Sequence, residues 1–480
     1  MLWIALYLPE LSLQVSHRGL LPDLPLVVSD GAHQRPLILA ANAPAQHKGI
    51  QAGMAVAAAQ ALDINLVVQV RDASREQAAI HALAGWATQF TPTVTLEREG
   101  VLLEVQPSLR LFDGLSALGK RLIGGARKLG FAVEISVAPT PLAAWMLARA
   151  RAADDRVRGC IAIDKLAPRL APLPLYLFDW TPDCLDALTR LGVTSVGQCR
   201  ALPRDGLMRR FGGMPLHDLD RAHGDLPDPR LCFVPPQQFF SKIELATELT
   251  NVDWLKLPIR QMLNELEGYL RARLQGTQEL LLTFEQGRAV RTTVKVSLST
   301  AQCFAEDFML LVNEHLARTT LDAPVQAVSL CVAVLLPYEP ENRTLVADGA
   351  RQSMALLQLC ERIEARLPPD RLYRIALNDD HRPEHAWRKD GNAGLTMDFP
   401  ELPRPAWLLA QPQPLSMAMG HPQYHGSLRL LTAPERIETG WWDEHAVSRD
   451  YHVARNPSGQ LCWIYRDHAQ GRWYLHGLFA

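Results

Sequence analysis

The feature that most constrains the fold is a run of six periodic segments that occurs twice, in the order strand, helix, strand, strand, helix, strand. The first run lies in residues 1–165, with an insertion between about residues 20 and 70, and the second lies in residues 238–337. This order is that of the ferredoxin-like fold. We therefore predict an α+β chain that contains two ferredoxin-like units.

The fourth segment of the second run alternates strictly. Uncharged, mostly apolar residues occupy every second position from 290 to 298, so the intervening side chains share the opposite face of a strand. That face carries Arg291, Thr293, Lys295 and Ser297. A row of cations and hydroxyls suits phosphate oxygens, and we predict that it contacts DNA. The alternative is an ordinary solvated face of a sheet.

The segment between the two runs, about residues 170–230, is predicted to be helical. Leucines at helical spacing lead to Gly192, and a short turn reaches Gly197 before a second helix begins. Helix, glycine-bounded turn and helix form the outline of a helix-hairpin-helix, although an ordinary αα-hairpin fits the pattern at least as well. Arg209 and Arg210 follow this turn and would either contact phosphates or form a solvated helix face.

Proline-rich stretches suggest where domains end, because proline interrupts helices and central strands. They predict five segments: residues 1–168, 169–236, 237–340, 341–400 and 401–480. The fourth is predicted to be a linker with a small C-terminal element, and the fifth a tryptophan-rich domain. We expect the region after residue 340 to combine an α/β element with a small β-rich extension.

Composition limits the class of protein. The chain has 480 residues and a net charge of −2, so it must bind a nucleic acid through local basic patches rather than through its overall field. Its 8 cysteines include no CxxC pair, which excludes a zinc ribbon and fits a reducing compartment. We find neither a signal peptide nor a membrane-spanning run, and we predict a cytoplasmic, nucleoid-associated protein.

Several strings resemble Y-family translesion DNA polymerases. Residues 38–42 and 49–54 are similar to the fingers of that family, residues 136–144 to its last palm strand and the following helix, and residues 191–197 to its thumb hairpin. The resemblance covers about residues 1–340 in the family's order. It implies that the two ferredoxin-like units are a palm and a DNA-binding little finger, separated by a helical thumb.

Members of this family polymerise nucleotides with two magnesium ions held by carboxylates. The aligned positions in this chain are Leu6 and Leu8 on the first strand and the pair Glu99 and Gly100 on the palm hairpin, so at most one carboxylate remains. The ribonucleotide-excluding aromatic and the triphosphate-binding side chains of the family align with Leu11, Ala43, Gln46 and Pro141. The resemblance therefore implies a polymerase fold without catalytic residues, functional magnesium site or other cofactor.

The C-terminal region makes the resemblance specific to one branch of the family. Residues 380–384, 434–442, 449–451 and 472–479 are similar to the tail of a catalytically inactive branch of the family, which belongs to bacterial mutagenesis cassettes. The resemblance implies a DNA-binding scaffold for damage-induced translesion synthesis, with no membrane association. The implied partners are the replicative sliding clamp, a RecA-like protein and an error-prone C-family polymerase subunit.

The tail is rich in aromatic side chains, which dominate the energetics of protein interfaces. We predict that partner proteins contact Trp441, Trp442, Arg449, Tyr451 and Trp473. For any single tryptophan, burial in the hydrophobic core of a small β-domain is an equally good interpretation. The adjacent pair Trp441 and Trp442 makes a stronger case for partner contacts. Neighbours on a strand point to opposite faces, so one of the two is expected to leave the core.

Two segments resemble clamp-binding peptides, in which a glutamine precedes two apolar residues. The first follows the little finger and is favoured by that place; its residues are Gln352, Met354, Leu356 and Leu357. Residues 353–367 would equally suit an amphipathic helix. The second segment runs from Gln413 to Met417.

Three alternatives stand beside the scaffold. An active low-fidelity polymerase would have to bind metal with Glu97, Glu99 and Glu104, although Glu104 lies across the hairpin turn from the other two. A DNA-repair protein with no link to the replication machinery would bind DNA alone. The run from His381 to His385 formally fits a zinc-protease motif, but its proline disturbs the helix that such a motif requires.

Overall fold

The computed structural model describes most of the chain. The described residues are 1–18, 24–31, 35–287, 290–338, 356, 359–360, 363, 366–367, 371–373, 375–378, 380–389, 403–443 and 446–479. The chain divides into two compact units, residues 1–366 and 367–480. Within the described ranges, no helix is both long and apolar enough to cross a membrane.

Residues 1–153 build two small sheets with their helices. The elements are β1 (Trp3–Tyr7), α1 (Leu11–His17), β2 (Leu26–Ser29), β3 (Ile38–Ala41), α2 (Ala43–His47), α3 (Val56–Leu62), β4 (Val67–Val70), α4 (Ala73–Ala87), β5 (Val94–Glu97), β6 (Gly100–Glu104), α5 (Leu115–Lys128), β7 (Glu134–Ala138) and α6 (Pro141–Ala153). The palm-like sheet is antiparallel with neighbour order β5-β6-β1-β7, and the insertion forms a second sheet in the order β3-β2-β4. The predicted ferredoxin-like palm is confirmed.

Strand β1 is buried on both faces, which explains its continuous apolar sequence. Ile4 and Leu6 pack with the apolar residues of α4 and α5 on one side of the sheet. Trp3 and Ala5 pack with α6 on the other side. The palm-like sheet is therefore covered by helices on both faces.

The thumb-like region consists of short helices. They are α7 (Leu166–Leu170), α8 (Pro182–Arg190), α9 (Val196–Arg200), α10 (Arg204–Phe211) and α11 (Met214–His223). Their buried residues, among them Leu188, Val196 and Leu207, belong to the same hydrophobic core as α6 and the second face of β1. These helices thus extend the core of the palm-like sheet.

Residues 239–337 form the little-finger-like region. Its elements are β8 (Phe239–Leu249), α12 (Val252–Arg271), β9 (Gln275–Gln286), β10 (Val290–Gln302), α13 (Ala305–Leu316), β11 (Val325–Val332) and β12 (Leu336–Pro337). Both helices pack on one face of an antiparallel sheet with neighbour order β10-β9-β11-β8. The order along the chain is as predicted, but the spatial order differs from that of the palm-like sheet. Here the hairpin places its first strand, β9, inside the sheet, whereas the palm hairpin places its second strand, β6, inside.

A buried ion pair joins the little-finger-like region to α1. The guanidinium of Arg18 contacts the carboxylate of Glu265 on α12, and both side chains are almost fully buried. The hydroxyl of Ser241 donates to the same carboxylate at 2.6 Å. Nearby, Gly268 of α12 lies against Trp86 so closely that a Cβ at residue 268 would stand 2.4 Å from the indole ring. Such close packing fits the assignment of these regions to one unit.

The second unit is β-rich. Its strands are β13 (Ile375–Leu377), β14 (Trp387–Lys389), β15 (Trp407–Pro414), β16 (Ser416–Ala418), β17 (His421–Gln423), β18 (Arg429–Leu430), β19 (Glu435–Thr439), β20 (Val447–Arg455), β21 (Leu461–Asp467) and β22 (Trp473–Leu478). The main sheet has neighbour order β15-β22-β21-β20-β18, with β19 also on β20, and two ribbons are β13-β14 and β16-β17. The predicted β-rich extension is confirmed. In the predicted α/β element, the described residues 356, 359–360, 363 and 366 are helical, and the described part of residues 371–389 contains the β13-β14 ribbon.

Candidate functional sites

The side chain that β1 presents to the palm hairpin belongs to Tyr7. Leu6 and Leu8, predicted to occupy the degenerate metal positions, are fully buried against α4 and α5 on the opposite face. These two leucines therefore line the hydrophobic core behind the sheet, because side chains alternate along a strand and its two faces differ by one residue. Tyr7 pairs across the sheet with Gly100 of β6.

The environment of Tyr7 keeps its phenol neutral. Burial raises its pKa, and the neighbouring Glu99 carboxylate raises it further. The ring of Trp145 from α6 meets the tyrosine ring edge-on, with their centroids 5.6 Å apart. A neutral phenol in an aromatic contact is a poor ligand for a hard cation such as Mg²⁺.

Gly100 has no room for a side chain. A Cβ built at this residue would stand 2.0 Å from the carbonyl oxygen of Leu6 and 3.2 Å from the indole of Trp145. A carboxylate at residue 100 would therefore require β1 and β6 to separate. The structure therefore leaves no space for an acidic side chain at residue 100.

Glu97 of the palm hairpin forms an ion pair with an arginine. Arg230 donates to Glu97 at 2.5 Å and to Asp228 at 2.8 Å. Burial raises the pKa of Glu97, and Arg230 acts against that rise. Sequence reasoning missed Arg230 because it lies 133 residues away from Glu97. The segment that carries it runs beside β5, where the amide of Phe233 donates to the Val94 carbonyl at 2.7 Å.

Glu104 lies at the other end of the hairpin and accepts a hydrogen bond from the amide of Leu2 at 3.2 Å. Glu104 pairs with Trp3 at the end of β1 opposite Tyr7, so it cannot join Glu97 and Glu99 in one site. Throughout the described part of the chain, no three His, Cys, Asp or Glu side chains are grouped to hold a metal ion.

The predicted DNA-binding face of β10 is exposed, as the alternation requires. Arg291, Thr293, Lys295 and Ser297 all face solvent. The ammonium of Lys295, however, lies 2.7 Å from the Glu279 carboxylate. Of the two cations on this strand, only Arg291 has no carboxylate partner among the residues that the structure describes. Much of the positive charge expected on this face is therefore neutralised.

The open face of β8 and β9 carries a similar pair. Lys242 contacts Glu285 at 2.7 Å. Exposed ion pairs of this kind contribute little to stability, typically below about 1 kcal/mol, but they do lower the local potential that attracts phosphates.

The thumb-like hairpin has few backbone donors left for a phosphate. The amide of Gly197 donates to the Ala171 carbonyl at 3.0 Å, and that of Gly192 to Thr189 at 2.9 Å. The Gln198 side chain accepts from the amides of Thr194 and Ser195. The prediction that Gly192 and Gly197 bind DNA is therefore wrong for their amide groups. Gly197 is needed for packing, because a Cβ there would stand 2.9 Å from that of Ala171.

The two arginines of α10 remain suitable for phosphates. Arg209 and Arg210 are exposed, and neither has a carboxylate partner in the described ranges. Arg204 on the same helix differs, because its guanidinium makes two hydrogen bonds with Asp220, at 2.8 and 2.6 Å. The C-terminal end of α10 therefore carries two exposed cations without a carboxylate partner in the described ranges.

The two clamp-peptide candidates fare differently. Gln352, Met354 and Leu357 lie outside the described residues, while Leu356 is helical and exposed. The second candidate, Gln413 to Met417, is built into the β-unit, because Leu415 packs against its core and donates its amide to the Trp473 carbonyl at 2.8 Å. A clamp peptide must be free to dock in an extended form, so the second candidate is wrong.

The aromatic residues of the tail divide into core and surface. Tyr451 is 1% exposed, Arg449 is largely buried beside it, and Trp473 packs against the core of the sheet. The prediction that Arg449 and Tyr451 contact partners is therefore wrong. Trp441 and Trp442 are 81% and 58% exposed. They lie in a turn after β19 rather than on a strand, which is why both of them leave the core.

Arg449 and Tyr451 belong to a buried polar network. Arg449 donates to Glu384 at 2.8 Å and to the Tyr451 hydroxyl at 3.2 Å. The same hydroxyl lies 2.8 Å from His476 Nδ1, and the two groups share a hydrogen bond whose direction depends on the histidine tautomer. Nε2 lies 3.8 Å from Glu384, too far for a direct hydrogen bond. Glu384, the acid of the zinc-protease pattern, thus serves as the arginine's counter-ion.

Residues 11–149 match the model of the impB/mucB/samB family. Two curated relatives, both named Protein ImuB and from two strains of Caulobacter vibrioides, are 26% identical over 467 residues, which cover 90% of this chain and 100% of each relative. The chain resembles ImuB along nearly its whole length. The resemblance predicted from the sequence is thereby confirmed, and it supports a role associated with mutagenesis.

Solved structures are similar to about two thirds of the chain. DinB from Sulfolobus solfataricus matches with a TM-score of 0.38 and 15% identity, covering 71% of this chain and 100% of that one. An insertion ternary complex of Dbh DNA polymerase matches with a TM-score of 0.39 and 15% identity, covering 69% of this chain and 98% of that one.

The buried His476 makes the stability of the second unit depend on pH. Burial lowers the pKa of His476 to about 4, so the unfolded chain binds a proton that the folded unit refuses as the pH falls from about 6.5. We expect urea unfolding, followed by near-ultraviolet circular dichroism, to show a loss of about 2–3 kcal/mol between pH 7 and pH 4.5. His476→Gln should remove most of this loss, and His421→Gln, at an exposed histidine, should not. An equal pH dependence in both variants would contradict the assignment.

Proposed function

We propose that this chain is a non-catalytic, DNA-binding scaffold of a mutagenic translesion synthesis complex. The observation that carries the proposal is the palm site, where Tyr7 faces the hairpin and Gly100 has no room for a side chain. The absence of a carboxylate at residues 7 and 100 supports the proposal, because two catalytic magnesium ions are ordinarily held by several carboxylates. The similarity to ImuB over 90% of the chain supports the same role.

The proposed partners follow from this resemblance. They are DNA, the replicative sliding clamp, a RecA-like protein of the ImuA type and an error-prone C-family polymerase subunit that performs the synthesis. We propose that the little-finger-like region and α10 contact DNA through Arg291, Arg209 and Arg210. We assign the clamp peptide to Gln352–Leu357 and the protein contacts of the tail to Trp441 and Trp442. Such a complex would work in the cytoplasm, on the nucleoid.

The first experiment tests catalysis. The purified chain should leave a primed template unextended with Mg²⁺ or Mn²⁺, at the level of a reaction without protein. Tyr7→Asp places a carboxylate beside Glu99, and we still expect no extension, because residue 100 cannot supply another ligand. Extension by the unaltered chain that is lost in a Glu99→Ala variant would favour an active low-fidelity polymerase.

A second experiment tests the DNA contacts. Arg291→Ala should weaken binding equally for DNA duplexes of different sequence and reduce the slope of log K against log salt by about 1. Lys295→Ala is the matched control and should have a smaller effect, because Glu279 already engages that ammonium. Both can be measured by fluorescence anisotropy. An affinity unchanged by Arg291→Ala would move the contact to Arg209 and Arg210, which the corresponding double variant tests.

A third experiment tests the tail. The double variant Trp441→Ala/Trp442→Ala should reduce co-purification with the RecA-like protein or the C-family subunit at least tenfold, because exposed tryptophans at an interface often contribute about 2 kcal/mol or more. Trp407→Ala, at another exposed tryptophan of the same unit, is the matched control. Undiminished co-purification of the double variant with both proteins would make the tryptophan pair irrelevant to assembly.

A further inference from the structure

A cavity lies between the palm-like and little-finger-like regions of the first unit. Helix α4 lines one side of it, and β8 and α12 line the other. Its volume is about 530 Å³, which is in the usual range of small-molecule sites, and boundaries between structural regions are common places for such sites. Both sides of the cavity belong to the same compact unit.

The cavity exists because α4 presents small residues along it. Ser74, Ala78, Ala82 and Gly85 line the cavity at helical spacing. Gly85 is buried, yet a Cβ built on it would have open space around it: outside its own helix backbone and chain neighbours, no atom of the described chain lies within 4 Å. Protein interiors leave few openings of this kind, because they lose van der Waals contacts there. A larger side chain on this face of α4 would fill the cavity.

Most of the cavity wall is apolar, and much of it is aromatic. The rings of Trp86, Phe239 and Tyr269 line the cavity, and each of these side chains is more than nine-tenths buried. The Tyr269 hydroxyl already donates to the Pro236 carbonyl at 2.7 Å, so this tyrosine contributes its ring to the wall rather than a hydrogen bond. Walls of this composition favour a ligand with an apolar, aromatic body.

A buried hydrogen-bond donor at the cavity has no partner. Arg18 lines the cavity and is only 6% exposed. One of its terminal nitrogens contacts Glu265, whose other carboxylate oxygen accepts from the Ser241 hydroxyl at 2.6 Å. The Nε–H of Arg18 is buried as well, but no described residue accepts a hydrogen bond from it. A buried donor without an acceptor destabilises a fold, so this group calls for an acceptor from outside the chain.

The charges along the described part of the cavity wall are already balanced. Each lysine and arginine there has a carboxylate partner: the pairs are Arg18 with Glu265, Lys242 with Glu285, and Arg75 with Glu244. A charged ligand would therefore bring an unmatched charge into a largely apolar space, which is strongly unfavourable. An uncharged acceptor, such as the oxygen of a carbonyl or amide group, satisfies Arg18 without adding such a charge.

We propose that this cavity binds a small, uncharged molecule that has an aromatic body and a carbonyl-type acceptor. The body packs against Trp86, Phe239 and Tyr269, and the acceptor receives the hydrogen bond from Nε of Arg18. Because the walls come from two regions, the bound molecule also fastens the little-finger-like region to α4. The site goes beyond the proposed function and does not depend on it, since primer extension, DNA binding and co-purification decide the scaffold role separately.

Three probes test the class of ligand on the full chain. They share a naphthalene body: 2-naphthamide carries an uncharged acceptor, 2-naphthoate carries a charged one, and naphthalene carries none. Isothermal titration calorimetry should show that 2-naphthamide binds about tenfold more tightly than either of the others, because it alone satisfies Arg18 without adding a charge. No binding of 2-naphthamide, tighter binding of 2-naphthoate, or equal binding of naphthalene would overturn the proposal.

Two variants test the place of binding. Ala82→Leu fills the cavity from α4 and should reduce the affinity for 2-naphthamide about tenfold or more. Its matched control is Gln77→Leu, at an exposed residue of the same helix that does not line the cavity, and this control should leave the affinity unchanged. Arg18→Lys keeps a positive charge beside Glu265 but removes Nε, so it should abolish the preference for 2-naphthamide over naphthalene.

Thermal unfolding separates loss of the site from loss of the fold. Saturating 2-naphthamide should raise the unfolding midpoint of the unaltered chain and of Gln77→Leu, but not that of Ala82→Leu, because a ligand stabilises only the folded state that binds it. If Arg18→Lys fails to fold, the three probes on the unaltered chain still decide the class of ligand, and Ala82→Leu still decides the place. Undiminished binding of 2-naphthamide to Ala82→Leu would put the ligand elsewhere and overturn the site.

Discussion

The first unit depends on the burial of β1 on both faces. Leu6 and its neighbours on one side fix α4 and α5, and Trp3 and Ala5 on the other side fix α6, against which the thumb-like helices pack. In a strand buried in this way, every side chain is committed to one of two cores, and a shift by one residue would exchange them. This constraint also decides which residue faces the palm hairpin, and it selects Tyr7 instead of a leucine.

Several of the charged side chains in this molecule form ion pairs. Arg230 engages Glu97, Arg18 is buried against Glu265, and Lys295 is matched by Glu279. The buried pair is the one with the larger consequence, because removal of either partner would leave an uncompensated charge, at a cost of about 3–5 kcal/mol. The exposed pairs matter for recognition, since they reduce the potential available to DNA. Exposed cations of α10 and β10 that have no carboxylate partner among the described residues are our candidates for contacts with DNA.

Sequence patterns were reliable where periodicity alone decides the outcome. The alternation of residues 290–298 predicted an exposed face with Arg291 and Lys295, and the structure has it. Sequence patterns failed where the role of a residue depends on a contact with a residue that is distant along the chain. Tyr451 looked like an interface residue because it is aromatic, but β20 lies inside the sheet, between β21 and the outer strands β18 and β19. The sequence predicted that Gly197 binds DNA, but its amide donates a hydrogen bond to the carbonyl of Ala171, at the end of the preceding helix.

The sequence by itself determined the two β-α-β-β-α-β runs, the helical segment between them and the β-rich tail, because local periodicity and the placement of proline and glycine suffice for those. The tertiary structure alone decided the strand order within each sheet: the two hairpins place opposite strands inside, and no local pattern distinguishes them, since all four strands are apolar on at least one face. It also decided which carboxylates have an arginine partner. Arg230 is distant from Glu97 along the chain, and only folding brings the two charges to 2.5 Å.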